Sequence, residues 1–377
     1  MRIALVGTRG VPARYGGFET AAEEIGVRLV EAGHDVTVYT RSRGNPDYRG
    51  IRTVYLPTIH TKYTETLAHG FFSVCHALVR RPDVAIVFNA ANSPAATLLR
   101  LARVPYALNV DGLEWKRSKW SGAGRTYYLL AERLAVHTAN ALIADSRGIS
   151  NYYANRYGVE TELIAYGAPV RHVDPTVERR LREADLEFRQ YHLIVARLEP
   201  ENHVTEILKG YCLSNAQFPL VVVGSAPYND RYQRELERVA QADSRVRLTG
   251  AVWDQDLLDS LYLGCASYLH GHSVGGTNPS LLRAAGAGAF CIAYDVSFNR
   301  EVLGDDAVYF ESPTSVRECV EHVEECPGEC ATRGTKLRDS VVSRYDWDDV
   351  ALRYEALCRV LAATSKSEVV GVPGSAG

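Results

Sequence analysis

The sequence predicts an α/β protein built from two doubly wound parallel-sheet domains in tandem. Short β-branched runs alternate with segments whose apolar residues recur at helical spacing. The alternation halts at a charged stretch after residue 170 and then begins again. A chain of 377 residues is long enough to bury two such cores.

The first run, IALVG, stops at Gly7 as a buried parallel strand does. A glycine-rich loop, TRGVPARYGG, leads into FETAAEEIGVRLVEAG, whose apolar residues follow a helix and which Gly33 ends. HDVTVYT is the next strand, so strand, loop, helix and strand fall within about forty residues, the βαβ pattern of a doubly wound sheet. The series continues through DVAIVFN, a helix, VPYALNVD, a long helix, ALIADS and TELIAYG. VRHVDPTVERRLREADLEF then shows no strand pattern and reads as a connector with a short helix. The second series runs through HLIVARLEP, VTEILKGYCLS, PLVVVGSAP, a charged helix, VRLTGAV, ASYLHGHS and AFCIAYD. WDDVALRYEALCRVL is a closing amphipathic helix, and SKSEVVGVPGSAG has no periodicity. The expected boundaries are a first domain over 1–170, a connector over 171–190, a second domain over 191–345, a terminal helix over 346–363 and a disordered tail over 364–377.

A formal net charge of -3 provides no global basic field for nucleic acid. No run of about 18 apolar residues exists to span a membrane. The start, MRIALVGTRG, lacks a signal-peptide pattern, so the protein is expected in the cytoplasm. Of eight cysteines, Cys75, Cys212, Cys265 and Cys291 sit in apolar, periodic surroundings. Cys319, Cys326 and Cys330 cluster at a spacing that matches no common zinc site, so reduced thiols and no metal are expected.

Several loops carry residues suited to a ligand. In TRGVPARYGGFET, Gly16 and Gly17 permit close approach at a helix start, and Arg9 and Arg14 supply positive charge. An ordinary tight turn is the alternative. The G-x-G-x-x-G spacing is missing and no acidic residue ends strand two, which disfavours a dinucleotide cofactor. Asp111 stands at a strand's carboxyl end, either positioning a hydroxyl or capping a helix. Beyond it, Trp115 and Trp120 interleave with Lys116, Arg117 and Lys119, a face for acceptor phosphates, a peripheral membrane contact or simply a helix start. Arg197 ends the first strand of the second series, either gripping a diphosphate or pairing with Glu199 or Glu201. YLHGHSVGGTNPSLLRAAGAG joins a strand, a glycine loop and a helix start, where amides, Thr277 and Asn278 can hold a diphosphate or sugar hydroxyls. His272 is a ligand contact or a loop hydrogen-bonder.

At these residues the sequence resembles the family 4 glycosyltransferases, and within them a rhamnosyltransferase-like branch. The resembling segments are GTRGVPARYGGFET, YLPTIHTKYTETLAH, NVDGLEWKRSKW, ALIADSRGI, RLEPEN, VVVGSAPY, HGHSVGGTNPSLL and SFNREVLGDDAVYF, in order along the chain. The resemblance implies the GT-B architecture, two Rossmann-like domains facing across a cleft, and retention of anomeric configuration. It implies a nucleotide-sugar donor on the second domain, an acceptor on the first, and no metal or other cofactor. Donor contacts fall on Gly16, Gly17, Arg197, Asn202, His272, Ser273, Gly275, Gly276, Thr277, Asn278 and Arg283. Acceptor-side contacts fall on Arg9, Arg14 and Tyr15, with Asp111 and Arg197 near the reacting centre.

Two departures stand out. The family's paired glutamates, eight positions apart, fall on Gly275 and Arg283, and its usual lysine after the arginine falls on Asn202. The second glutamate ordinarily accepts ribose hydroxyls, a contact worth about 1.5–3 kcal/mol, whereas Arg283 can grip a phosphate. The branch suggests dTDP-rhamnose as donor, with GDP- or UDP-sugars as alternatives. The acceptor is a polysaccharide precursor, lipid-linked or not, or a small natural product attacked through a hydroxyl or a thiol. A catalytically degenerate GT-B subunit is the main rival, and a GT-B epimerase or phosphorylase a further one. The oligomeric state is not set by the sequence.

Overall fold

The computed structural model describes residues 1–13, 16–58, 65–110, 112–117, 120, 122–225 and 230–370. The chain forms two compact units, Met1–Tyr166 with Trp347–Gly377, and Gly167–Asp346.

The first unit contains β1 (Arg2–Val6), α1 (Gly17–Glu31), β2 (Asp35–Thr40), β3 (Asp47–Tyr48), β4 (Ile51–Tyr55), α2 (Glu65–Arg80) and β5 (Val84–Phe88). It continues with α3 (Ser93–Leu101), β6 (Tyr106–Asn109), α4 (Ala123–Thr138), β7 (Ala141–Ala144), α5 (Arg147–Tyr157) and β8 (Glu162–Leu163). The sheet order is β3-β4-β2-β1-β5-β6-β7-β8, parallel except where β3 pairs with β4. β5 reads VAIVF and is buried throughout, as a central strand with both faces covered must be. The chain leaves β1 toward β2 on one side and returns as β5 on the other. The carboxyl ends of β1 and β5 therefore flank this sheet's switch point.

The second unit contains α6 (Pro175–Glu183), β9 (His192–Val195), α7 (Val204–Cys212), β10 (Leu220–Val223), α8 (Asp230–Gln241), β11 (Val246–Gly250) and α9 (Gln255–Gly264). It then adds β12 (Ser267–His270), α10 (Pro279–Gly286), β13 (Phe290–Tyr294), α11 (Ser297–Leu303), β14 (Val308–Phe310), α12 (Pro313–Glu325) and α13 (Pro327–Arg344). Its parallel sheet has the order β11-β10-β9-β12-β13-β14, so the switch point lies between β9 and β12. Ile194, Leu208, Val222 and Phe290 lie in its core. Both units are thus Rossmann-like.

The stretch 171–190 is integral to the second unit. Asp174 caps α6 by accepting from the Thr176 and Val177 amides, Leu181 is fully buried, and Arg180 pairs with Asp256 of α9 at 3.0 Å. Charged residues on the exposed face hide this short apolar stripe in the sequence. The last helix, α14 (Trp347–Val370), returns to the first unit. There the Asn109 amide donates to the buried Tyr354 hydroxyl at 3.0 Å, His34 pairs with Glu355 at 2.9 Å, and Arg28 with Asp348 at 2.6 Å. α14 passes residue 363, and residues 371–377 lie outside the described ones.

Candidate functional site

The best-formed site lies at the switch point of the second unit, where the chain leaves β9 and β12. Arg197 follows β9 by two residues and is half-buried. Among the described residues its guanidinium has neither an ion pair nor a hydrogen bond, so the pairing with Glu199 or Glu201 is not formed. A cation held out of bulk water without a partner has residual capacity for an anion.

The loop after β12 is fastened to the one after β9. Asn202 ends a 3-10 turn, donates to the Arg197 carbonyl at 2.6 Å, and accepts from His272 Nδ1 at 2.7 Å. In that bond Nδ1 is the donor, because an amide oxygen can only accept. Ser273 donates its amide and its hydroxyl to the Glu201 carbonyl, each at 3.0 Å. A Cβ at Gly271 would stand 2.0 Å from the Asn202 carbonyl oxygen, so only glycine allows this approach. At Gly275, φ is 148° and a Cβ would lie 2.9 Å from His272 Nε2. Gly276 and Thr277 are buried, and Asn278 caps α10 by accepting from the Ser280 amide at 2.9 Å. The next two amides of α10, Leu281 and Leu282, donate to the Asn278 carbonyl at 3.1 Å, so Asn278 closes this helix start with its side chain and its backbone.

Three contributors escape a sequence reading. His203 donates from Nδ1 to the Gly271 carbonyl at 2.8 Å and stacks on Tyr294 with ring centroids 4.0 Å apart. Asn299 is fully buried and donates to the carbonyls of His272 at 3.0 Å and Tyr294 at 2.8 Å. His270 ends β12 with its Nε2 unpartnered, and burial pushes its pKa down to about 3. The HGH triplet and the resembling segment SFNREVLG were the available pointers to His270 and Asn299.

Arg283 belongs elsewhere. Its Nε donates to Asp259 Oδ1 at 2.7 Å, its Nη1 donates to Gln255 Oε1 at 3.0 Å, and it lies over the Tyr262 ring. Asp259 is also paired with Arg171 at 3.0 Å. The guanidinium expected on a phosphate is occupied by α9.

In the first unit, Gly16 precedes α1 and Gly17 opens it, with no side chain capping the amides. The Arg9 amide donates to Glu19 at 2.9 Å, while its side chain lies 3.6 Å from Glu65. Glu65 also meets the nearly buried Arg41 at 3.5 Å. Beneath them His69 is fully buried, and burial with the nearby Arg41 pushes its pKa down to about 4. Arg14, Tyr15 and Asp111 lie outside the described residues, as does Lys119. Arg117 is buried against Glu114, and Lys116 lies over Trp115, so part of that basic face is spent internally.

Among the described residues one trio, His322, Cys326 and Glu329, brings three metal-capable atoms within 4.8 Å of one another. It spans the α12–α13 junction and uses a histidine that the cysteine spacing alone passes over. No helix among the described residues is long and apolar enough to cross a membrane.

Comparison with known proteins agrees with this layout. A glycosyl transferase 4-like domain matches residues 16–167, and the glycosyl transferases group 1 family matches residues 182–329. The phosphatidylinositol N-acetylglucosaminyltransferase GPI3 subunit of Saccharomyces cerevisiae is 25% identical over 182 residues, covering 47% of this chain and 40% of that protein. The matched region thus spans well under half of this curated relative. The sucrose-phosphate synthase structure from Thermosynechococcus elongatus superposes with a TM-score of 0.79 at 18% identity, covering 96% of this chain and 99% of that one. Anabaena HepE in complex with UDP-glucose gives a TM-score of 0.79 at 16% identity, covering 95% and 99%.

Proposed function

This chain belongs to the GT-B glycosyltransferases and is family 4-like, and from that premise we propose that it moves a hexosyl group from a nucleoside-diphosphate sugar to an acceptor with retention of configuration. The observation that carries the donor site is Arg197, a half-buried guanidinium without a partner among the described residues, beside the sheet's switch point. In this reading Arg197 and the amides of 274–278 neutralise the diphosphate as the glycosidic bond breaks. Asn202 positions His272, whose Nε2 accepts a sugar hydroxyl. Retention proceeds by front-face attack, with a donor phosphate oxygen taking the acceptor proton. Such a route needs no carboxylate pair of the kind a glycosidase uses. Asp111 is assigned to the reacting centre by resemblance alone, and charge on the leaving group is carried without a metal.

The donor is dTDP-rhamnose, from the branch resemblance, or a UDP-hexose, as bound in the HepE crystal. dTDP lacks the ribose 2′-hydroxyl that the missing glutamate would hold, which supports the first. The acceptor is a polysaccharide precursor or a small natural product. The name of the GPI3 relative, which points to phosphatidylinositol, supports a lipid-bearing one. A degenerate subunit is the second reading, favoured by Arg283 locked on Asp259 and by Asn202 in the lysine position.

Calorimetric titration of the intact protein with dTDP, UDP, GDP and ADP tests the donor assignment. Micromolar binding of one diphosphate is the expected result. Absence of binding by all four removes the donor site and leaves the degenerate subunit.

A further inference from the structure

The break between α12 and α13 gathers three metal-capable side chains on one side of the second unit. The Cys326 amide donates to the His322 carbonyl at 2.9 Å where α12 ends, and Pro327 opens α13. The Cys330 amide donates in turn to the Cys326 carbonyl at 3.1 Å, so helical spacing runs on through the break. His322 and Cys326 stand four positions apart and Cys326 and Glu329 three, spacings that bring side chains onto one face. Their ligand atoms all lie within 4.8 Å of one another, and His322 Nε2 is 3.9 Å from Glu329 Oε1.

These separations exceed a hydrogen bond and approach what an ion requires. A tetrahedral dication with ligands at about 2.0–2.3 Å holds them roughly 3.3–3.8 Å apart, so a contraction of at most about 1.5 Å closes the trio. The side chains of His322 and Glu329, 38% and 55% exposed, have room to make it. Cys326 is a free thiol. Arg333 lies 3.6 Å from Glu329, but its Nη2 donates to the carbonyls of Asp305 at 3.1 Å and Ala307 at 2.8 Å. It therefore keeps partners when the carboxylate turns away. A thiolate and a carboxylate cancel the two charges of the ion, so Arg333 faces a neutral complex.

The place in the fold separates this cluster from the donor loops. Glu324, two residues beyond His322, pairs with His192 at the start of β9 and accepts from the Gln217 and Phe218 amides just before β10. The break thus lies at the amino edge of the sheet, opposite the carboxyl edge that carries Arg197 and the loop after β12. We propose that His322, Cys326 and Glu329 form a zinc site that clasps the end of α12 to the start of α13, with water as the fourth ligand. Thiolate and imidazole suit Zn²⁺, whereas Ca²⁺ and Mg²⁺ take oxygen ligands. Binding forms the Sγ–Zn bond and releases the thiol proton to solvent, while the histidine binds through a neutral ring nitrogen. The clasp steadies α13, whose Gly334 packs so closely on Gly288 after α10 that a Cβ there would stand 2.4 Å from the Gly288 carbonyl oxygen. The site stands apart from the transferase reading and does not depend on it.

Cobalt(II) is the probe, because a thiolate ligand gives it a charge-transfer band in the near ultraviolet that oxygen and nitrogen ligands do not. The reduced full chain is titrated with cobalt chloride and then with zinc chloride as competitor. One equivalent of cobalt per chain is expected to raise the band, one of zinc to abolish it, and calcium to leave it unchanged. Cys326→Ser is expected to lose the band, and Cys75→Ser, in the first unit, to keep it. His322→Ala and Glu329→Gln retain the thiol and are expected to bind cobalt at least about tenfold more weakly, since losing a partner one shell further out already costs that much. Zinc is expected to raise the melting temperature of the parent and not that of Cys326→Ser, whose metal-free melt matches the parent's. No band at stoichiometric cobalt, a band that survives in Cys326→Ser, or cobalt affinity unchanged in both His322→Ala and Glu329→Gln overturns the site.

Discussion

Replacing Arg197 with alanine separates a ligand-binding role from a structural one. The guanidinium has no partner among the described residues, so truncation orphans no donor or acceptor and removes only the stem's packing. The expected change in stability is within about 0.5 kcal/mol, or roughly 2 °C in a domain of this size. Binding responds differently. A hydrogen bond to a charged group contributes about 1.5–3 kcal/mol, which corresponds to a loss of roughly tenfold to 150-fold in diphosphate affinity. Arg197→Lys keeps the charge but loses the planar fork, and falls between the two. Calorimetry with the preferred diphosphate and a thermal melt on the same samples give both numbers. An alanine variant that binds as well as the parent, or that melts many degrees lower, refutes the assignment.

Other perturbations read other parts of the account. Gly271→Ala drives a Cβ to 2.0 Å from the Asn202 carbonyl, so the loop must shift, and nucleotide affinity is expected to fall at least tenfold in a titration while the fold persists by circular dichroism. Arg283→Glu sets a carboxylate against Asp259 and is expected to lower stability by about 2 kcal/mol in a denaturant melt, between the exposed and buried ion-pair cases. An unchanged melt would show that the α9–α10 pair contributes nothing. His69 and His270 are buried with pKa values near 4 and 3, so the unfolded chain binds more protons than the folded one below the ordinary histidine value. Their contribution is complete above about pH 6.5 and lost as pH falls from there toward the folded values, roughly 2 kcal/mol per histidine by pH 5. Denaturation midpoints at pH 7.5 and pH 5 measure it, and equal midpoints contradict it.

Much of the fold was legible because the central parallel strands are buried on both faces and read as compact apolar runs, as in VAIVF and LVVV. The glycine loop after β12 was legible for a related reason. A backbone that approaches another within van der Waals contact excludes a side chain, and Gly271 does so against Asn202. Tertiary pairings were not legible. Nothing local ties Arg283 to Asp259, which stands 24 positions earlier, and charge type alone left a phosphate as an equal partner. The short helix expected in the connector is α6, but its place in the second unit was hidden because two buried residues, Val177 and Leu181, are outnumbered by charges on the open face. α14 read as a separate helix because its contacts with His34 and Asn109 span hundreds of positions. A histidine that fastens a loop, such as His203, has no distinctive spacing and emerges only from geometry.

The central claim is sugar transfer with retention, and proton NMR of the product tests it most directly. The intact protein is incubated with the α-linked nucleotide sugar whose diphosphate it binds and with an octyl glycoside acceptor. The account predicts many turnovers per protein and a product whose new linkage is α. A β-linked product would contradict retention, and release of no more than one nucleotide per protein would contradict catalysis itself.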